Sequence, residues 1–183
     1  MKQMNSQRLK LRRFKSDDWK DLYEYLSIPE VVLYEPYETF TKRECIDEAQ
    51  RRSDQNNKNF WAVCLKNSSK MIGHIYFSQI NPNRLKTWEI GYVFNPRYYG
   101  HGYATEAADR ILKYGFENKG AHRIVAGVNV KNKPSWKLLE RILMRREAHM
   151  LENVFFKKTP EGKPIWNDSY RYAILASEYF SKN

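Results

Sequence analysis

Arg97-Tyr98-Tyr99-Gly100-His101-Gly102-Tyr103-Ala104-Thr105-Glu106 is the stretch whose reading decides the fold of this chain. Upstream of it, Thr87-Trp88-Glu89-Ile90-Gly91-Tyr92-Val93-Phe94 is rich in β-formers and closes with Asn95-Pro96, a strand stopped by proline. Downstream, Ala104, Ala107, Ala108, Ile111, Leu112, Gly115 and Phe116 recur at helical spacing and predict a long helix with one narrow apolar face. A strand that passes through a glycine turn into a helix presents unpaired N–H groups at the helix start. The helix dipole adds partial positive charge there, so the turn suits a phosphate. Only Gly100 and Gly102 are present, which excludes the dinucleotide pattern G-x-G-x-x-G, and no Gly-Lys-Ser/Thr follows, which excludes a P-loop. The plain alternative is a tight turn that needs glycines and binds nothing, so the surrounding chain has to decide.

At 183 residues the chain is read as one domain, long enough for a sizeable core. An apolar share of 42% with 15% aromatics predicts a packed globule and argues against disorder. No apolar run approaches a membrane span, and the polar, basic N-terminus lacks a signal-peptide core; the expected location is the cytoplasm, with no membrane partner. Cys45 and Cys64 lie far apart without C-x-x-C, and the histidines are scattered without H-E-x-x-H, so neither a disulfide framework nor a metal site is expected. A formal charge of +11 favours polyanionic partners such as nucleic acid, a ribosome surface or a phosphorylated cofactor, although no block of consecutive basic residues concentrates it.

Taken in order, residues 1–7 read as a frayed start, and Leu9, Leu11 and Phe14 alternate with Arg8, Lys10 and Arg12 as a first strand. Ser16 fits an N-cap, with Asp17 and Asp18 in the first turn and Trp19, Leu22, Tyr23 and Leu26 as the inward stripe of a helix ending near Pro29. An aromatic-rich connection over 30–40 leads to a second helix opened by Thr41 and Glu44 as a capping box. Strands at 60–65 and 71–80 form a hairpin, with Gly73 marking a bulge or a close backbone approach. After the glycine turn and its helix, Gly120 is a C-terminal stop. Strand 123–130 should then lie parallel to strand 87–94. Asn132-Lys133-Pro134-Ser135 opens a helix, and 145–156 and 165–175 close the chain as two strands.

Arg97, Gly100 and Gly102 fill the places of [Arg/Gln]-x-x-Gly-x-[Gly/Ala], which resembles the pyrophosphate-binding turn of the GNAT superfamily of acetyl-CoA-dependent N-acetyltransferases. The element order β-α-α-β-β-β-α-β-α-β-β, with Asn132-x-x-Ser135 after the fifth strand, is similar to that fold over nearly the whole chain. Glu89-Ile-Gly-Tyr, Gly100-His-Gly-Tyr-Ala-Thr-Glu-Ala, Asn132-Lys-Pro-Ser135 and Asp168-Ser-Tyr-Arg-Tyr-Ala-Ile-Leu resemble the RimJ/RimL-type branch. The resemblance implies an α/β (α+β) architecture, a mixed, mostly antiparallel seven-stranded sheet flanked by four helices and splayed between its fourth and fifth strands. It implies acetyl-CoA as cosubstrate, no metal, and direct attack of an amine on the thioester, with no covalent nucleophile.

Residue by residue, the resemblance implies that the backbone of Tyr92, Val93 and Phe94 pairs with the pantetheine arm. Arg97, Tyr98, Gly100, His101, Gly102, Tyr103, Ala104 and Thr105 form the pyrophosphate turn. Glu89 is the base candidate, directly or through water, and the Tyr92 N–H is the oxyanion donor; an ordinary ion-paired strand glutamate is the alternative for Glu89. The tyrosine acid of many GNAT enzymes is replaced by Leu139, so Ser135 is the expected donor to the sulfur and Asn132 the ligand of the pantetheine amide. Both also suit simple helix capping. Tyr34, Tyr37 and Phe40 are expected to wall the acceptor cleft, and Tyr170, on the last strand, is the reserve candidate for the donor to the sulfur and a substrate contact. Where family members carry a left-handed glycine after that helix, this chain has Ile142-Leu143-Met144, so either the helix ends differently or its backbone is strained.

The expected acceptor is a primary amine, either a protein N-terminus, as in a ribosomal protein, or a small amine. The rival reading is a catalytically idle acyl-CoA-binding or nucleic-acid-associated module that kept the fold. Aromatics in 30–40 and 150–156 are compatible with a homodimer.

Overall fold

The computed structural model of the chain describes residues 3–182. The strands are β1 (Met4–Asn5), β2 (Leu9–Arg12), β3 (Phe60–Leu65), β4 (Met71–Gln79), β5 (Thr87–Phe94), β6 (Arg123–Asn129), β7 (Arg145–Val154) and β8 (Asn167–Leu175). The helices are α1 (Trp19–Leu26), α2 (Pro29–Val32), α3 (Lys42–Ser53), α4 (Tyr103–Lys113), α5 (Lys133–Arg141) and α6 (Ala176–Lys182). One 8-stranded sheet runs β1-β2-β3-β4-β5-β6-β8-β7. The expectation of seven strands and four helices is corrected: Met4 and Asn5 pair with Leu11 and Lys10 as a further edge strand, and α2 and α6 are short helices that no long periodic pattern announces. The closing strands are shorter than 145–156 and 165–175, because the ladder between β7 and β8 breaks after Met150 and Val154 pairs with Asn167.

Every pairing is antiparallel except β5 with β6, which is parallel and runs only from Thr87↔Arg123 to Glu89↔Val125. Beyond Glu89 the two strands part, and the expected splay is present. β5 keeps its full ladder to β4 on the other side, from Gly73↔Phe94 to Gln79↔Trp88, so the gap is flanked by backbone free to pair with something else. Gly73 does both things the sequence offered. The ladder shifts between Val63 and Cys64 beside it, and a Cβ at Gly73 would sit 2.5 Å from Phe94 Cδ1 and 2.7 Å from the Val93 carbonyl oxygen.

Strand alternation sorts the core onto two faces. On one, Trp61, Ile75, Phe77, Ile90 and Phe94 pack with α4 through Ala107, Ala108 and Ile111, and with α5 through Leu138 and Leu139. On the other, Phe14, Leu22, Tyr25, Cys45, Ala49, Ala62 and Val93 join α1 and α3 to the sheet. The stripe of α1 is corrected: Tyr23 is exposed and Tyr25 is buried, its hydroxyl 2.8 Å from Nδ1 of buried His74. Ser16 is not the cap either. It begins a 3-10 turn, and it is Asp18 that accepts from the Lys15 N–H at 2.8 Å and from both terminal nitrogens of Arg12. The Thr41–Glu44 capping box stands as read. The turn helix continues past Lys113 as a π turn over Tyr114–Asn118 and stops at Gly120, φ +60°.

Candidate active site

At the C-terminal end of β5, Asn95 is buried and its side-chain oxygen accepts from the Arg97 N–H at 3.1 Å, turning the chain away from the sheet. Gly100 and Gly102 follow at φ +79° and +77°, a conformation that costs a residue with a Cβ and that tips the chain into α4. The first helical bond runs from the Glu106 N–H to the Gly102 carbonyl at 3.0 Å, so the N–H groups of Tyr103, Ala104 and Thr105 are the first-turn donors without a helical partner. No side chain caps this end. Arg97 and His101 are exposed at the turn, Tyr98 and Tyr103 are half-buried, and the His101 ring stacks on Tyr103 with centroids 5.6 Å apart. Nothing lies within 4 Å of a Cβ built at Gly100, and the unpaired donors with the dipole at this helix end fit a bound pyrophosphate.

Sequence reasoning passed over Arg8. Its guanidinium donates to the His101 carbonyl at 2.9 Å and to Glu106 at 2.7 Å, and its carbon lies 4.7 Å from the Tyr103 ring centroid. Burial pushes the Glu106 carboxyl up, but bonds from the Arg8 N–H, Ser6 and the Arg8 side chain outweigh it and hold the group below its ordinary range. The turn between β1 and β2 thereby clamps both ends of the first turn of α4. From α5, Arg141 brings a further cation to Thr105, donating to its Oγ1 at 3.3 Å.

Tyr92 and Ser135 come together across the gap. The Tyr92 hydroxyl lies 3.0 Å from Ser135 Oγ and donates to the Ser135 carbonyl at 3.0 Å. Burial pushes the Tyr92 phenol well up, against the Ser135 bond and the charge of Arg141, so it holds its proton at neutral pH. Asn132 accepts from the Ser135 N–H at 3.3 Å and caps α5, the helix-capping alternative for that residue. Val93 and Phe94 are buried on opposite faces of β5.

Glu89 lies on the face of α1 and α3, as its parity with Val93 requires, and accepts from Arg171 Nη1 at 3.3 Å. The connection between α2 and α3 overhangs the same side. Tyr34 and Tyr37 are half-buried there, Tyr37 packs edge-on against Phe40 at 5.2 Å, and burial raises its phenol. Lys157, from the hairpin between β7 and β8, donates to the Tyr37 carbonyl at 2.7 Å and pairs with Glu38 at 2.9 Å, fixing the two rims to each other. Tyr170 is on the opposite face, with the Arg146 guanidinium 3.8 Å from its ring centroid and His149 edge-on at 5.1 Å. It therefore stands apart from Tyr34 and Tyr37. Between those two tyrosines sits Glu35, which the sequence reading left aside; burial, the largest influence, raises its carboxyl to about 7. Among the described residues no group of three or more His, Cys, Asp or Glu side chains is placed to hold a metal ion.

A family model described as "Acetyltransferase (GNAT) domain" matches residues 8–145. The chain is 40% identical over 177 residues to "Uncharacterized N-acetyltransferase YnaD" of Bacillus subtilis, covering 96% of this chain and 98% of that protein. Among solved structures, an acetyltransferase of the GNAT family from Bacillus anthracis superposes with a TM-score of 0.86 at 36% identity, over 97% of this chain and all of that one. Spermidine N-acetyltransferase from Vibrio cholerae, in complex with CoA and spermine, superposes with a TM-score of 0.78 at 23% identity over 94% of this chain and 98% of that one, a likeness of fold.

Proposed function

The chain belongs to the GNAT acetyltransferase family, and from that premise we propose that it is an acetyl-CoA-dependent N-acetyltransferase of the RimJ/RimL type that transfers an acetyl group directly to a primary amine in the cytoplasm. The observation that carries the reading is the meeting of two features: backbone donors at the start of α4 and a gap between β5 and β6 that opens beyond Glu89. A phosphate-ended thioester with a long amide-bearing arm matches both. The pyrophosphate lies on the N–H groups of Tyr103, Ala104 and Thr105 at the start of α4, with Arg97 at the rim; those of Tyr98 and Tyr99 are taken by the Asn95 and Pro96 carbonyls. The arm lies along Tyr92 to Phe94, and Asn132 and Ser135 border it. The acyl group then falls between Tyr92 and the α2–α3 connection.

On this reading the Tyr92 N–H stabilises the oxyanion and the hydroxyls of Ser135 and Tyr92 form a short relay to the departing sulfur. Burial keeps the Tyr92 hydroxyl protonated, so it serves as a hydrogen-bond donor toward the sulfur. The amine enters from the side of Glu89, Tyr34 and Tyr37, with Tyr170 lining the far wall. The solved complex of the spermidine enzyme with CoA and spermine supports an amine as acceptor class; a protein N-terminus, including that of a ribosomal protein, is the other. Exposed Leu151, Phe155, Phe156, Ile165 and Trp166 on β7 and its hairpin support a homodimer, to be read by sedimentation. The test of the function is titration of the purified chain with acetyl-CoA, followed by thiol release over a panel of amines and peptides. Saturable binding with release on an acceptor is the expected result; binding without release on any acceptor favours the idle module.

A further inference from the structure

The arginines around the start of α4 are not equivalent. Arg8 is spent on Glu106 and the His101 carbonyl, and Arg110 donates to the Asn5 carbonyl at 3.1 Å. Arg97 is exposed ahead of the glycines. Arg141 reaches the turn from a different element. Its Nε donates to Thr105 Oγ1 at 3.3 Å, on a residue whose own N–H has no helical partner, and it has no ion-pair partner among the described residues. The carboxylates of its surroundings are engaged elsewhere. Glu140, the preceding residue, pairs with Arg146 and accepts from the Tyr172 hydroxyl at 2.8 Å. Asp109, which shares a small cleft with Arg141, faces Lys113 and Arg110. Lys137 stands four residues before Arg141, so the two share one flank of α5, and it too is exposed and without an ion-pair partner among the described residues. The donors and dipole of α4 serve the pyrophosphate. Two uncompensated cations beside them suit a further anionic group.

We propose that Arg141, with Lys137 one turn before it, holds the 3′-phosphate of CoA. This rests on the acetyl-transfer reading above. In CoA the pyrophosphate joins the pantetheine arm to a ribose, and the third phosphate is an ester of the 3′ hydroxyl of that ribose. With the pyrophosphate on the N–H groups of Tyr103 to Thr105, the third phosphate stands one sugar away from them. A phosphomonoester carries a charge of about −1.5 to −2 at neutral pH and three strong acceptor oxygens, so it is the most anionic group of the molecule. The guanidinium fork of Arg141 matches two of those oxygens at once, and the ammonium of Lys137 adds a point charge. The bond to Thr105 holds the fork beside the turn. The consequence is selection among thioesters. Those that share the pantetheine arm and lack the 3′-phosphate, such as the acetyl thioesters of 3′-dephospho-CoA and of pantetheine, forgo this contact.

The test is calorimetric titration of wild type, Arg141→Gln, Arg141→Lys, Lys137→Gln and Arg97→Gln with CoA and with 3′-dephospho-CoA, two ligands that differ only in that phosphate. Wild type is expected to bind CoA more tightly by about tenfold or more, the worth of one charge-assisted bond. Arg141→Gln should bring the two Kd values to within about twofold of each other while leaving that for 3′-dephospho-CoA at the wild-type value. Arg141→Lys should keep part of the ratio, because it keeps the charge and loses the fork. Lys137→Gln should lower the ratio by a smaller factor. Arg97→Gln, at the rim of the pyrophosphate, should weaken both ligands alike. A smaller wild-type ratio overturns the assignment, as does Arg141→Gln with the ratio intact or loss of the ratio in Arg97→Gln alone. Equal weakening of both ligands in Arg141→Gln also overturns it, because the residue would then serve the pyrophosphate or the packing of α5 on α4. Failure of the wild type to bind either ligand overturns the acetyl-CoA reading itself, an outcome seen before any variant is compared.

Discussion

Glu35, half-buried on the connection between α2 and α3, ties stability to pH. Burial raises its carboxyl from 4.5 to about 7, so between those values the native chain holds a proton that the unfolded chain has released. Stability therefore falls as pH rises across that window, and the whole cost is present above it. Glu35→Gln, which stays neutral, is expected to be more stable than wild type at pH 8 by about 1–3 kcal/mol and no more stable at pH 4, read by urea unfolding at the two values. Tyr92→Phe is the complementary case. It removes the hydroxyl that lies 3.0 Å from Ser135 Oγ and leaves the backbone N–H in place, so kcat should drop about 10–100-fold with little change in Kd for acetyl-CoA.

At the scale of the element, the helix ends carry the information. Leu143 occupies the place where a left-handed glycine is expected, and the backbone goes left-handed regardless, at φ +64°. The Met144 N–H bonds the Leu139 carbonyl and the Leu143 N–H bonds the Glu140 carbonyl, both at 3.0 Å, while Met144 and Leu139 are buried together. These bonds satisfy the last carbonyls of α5 and override the preference of leucine, so of the two alternatives the strained one is observed. Leu143→Gly should stabilise the protein by about 1 kcal/mol, measured as a shift in the urea midpoint. Gly102 is the reverse case. Its added Cβ would meet only Arg8 Nη2 at 3.5 Å, an ordinary contact, so the cost of Gly102→Val lies in the backbone at φ +77° and in the blocked approach of a phosphate. The expected outcome is a rise of at least tenfold in Kd for acetyl-CoA by calorimetry, about 1.4 kcal/mol.

For the whole molecule, the gap between β5 and β6 is the feature that couples the two cores. The face of α4 and α5 and the face of α1 and α3 meet along β5, yet β5 and β6 share only the pairs from Thr87↔Arg123 to Glu89↔Val125. A ligand lying in the gap and bonding β5 binds the native state alone. Acetyl-CoA at a hundred times its Kd should then raise the stability of the protein by about 2.7 kcal/mol, seen as an upward, concentration-dependent shift of Tm. The formal charge of +11 is a property at this scale as well. Arg141 brings part of it to the glycine turn, whereas Arg8, Arg12, Arg52 and Arg171 are absorbed by Glu106, Asp18, Glu48 and Glu89.

What the sequence determined by itself was most of what depends on neighbours along the chain, the Ser16 cap excepted. The strand stopped at Pro96, the glycine turn, the apolar stripe from Ala107 to Phe116 and the Thr41–Glu44 box are local patterns set by backbone sterics, propensity and periodicity, and they specify the architecture and the conformation of that turn. Features lacking a local pattern were missed or misjudged. Met4 and Asn5 are too short a strand to show alternation, and Tyr25 rather than Tyr23 turns inward because His74, far away in the chain, offers it a bond. The site divides along the same line. Gly100 and Gly102 were legible because only their own dihedral angles matter, but the meeting of Tyr92 with Ser135 and the clamp of Arg8 on Glu106 each join residues distant in sequence. Only the tertiary structure decided those, because burial and countercharge are set by whatever else the fold brings within a few ångströms, and a linear pattern carries no record of that.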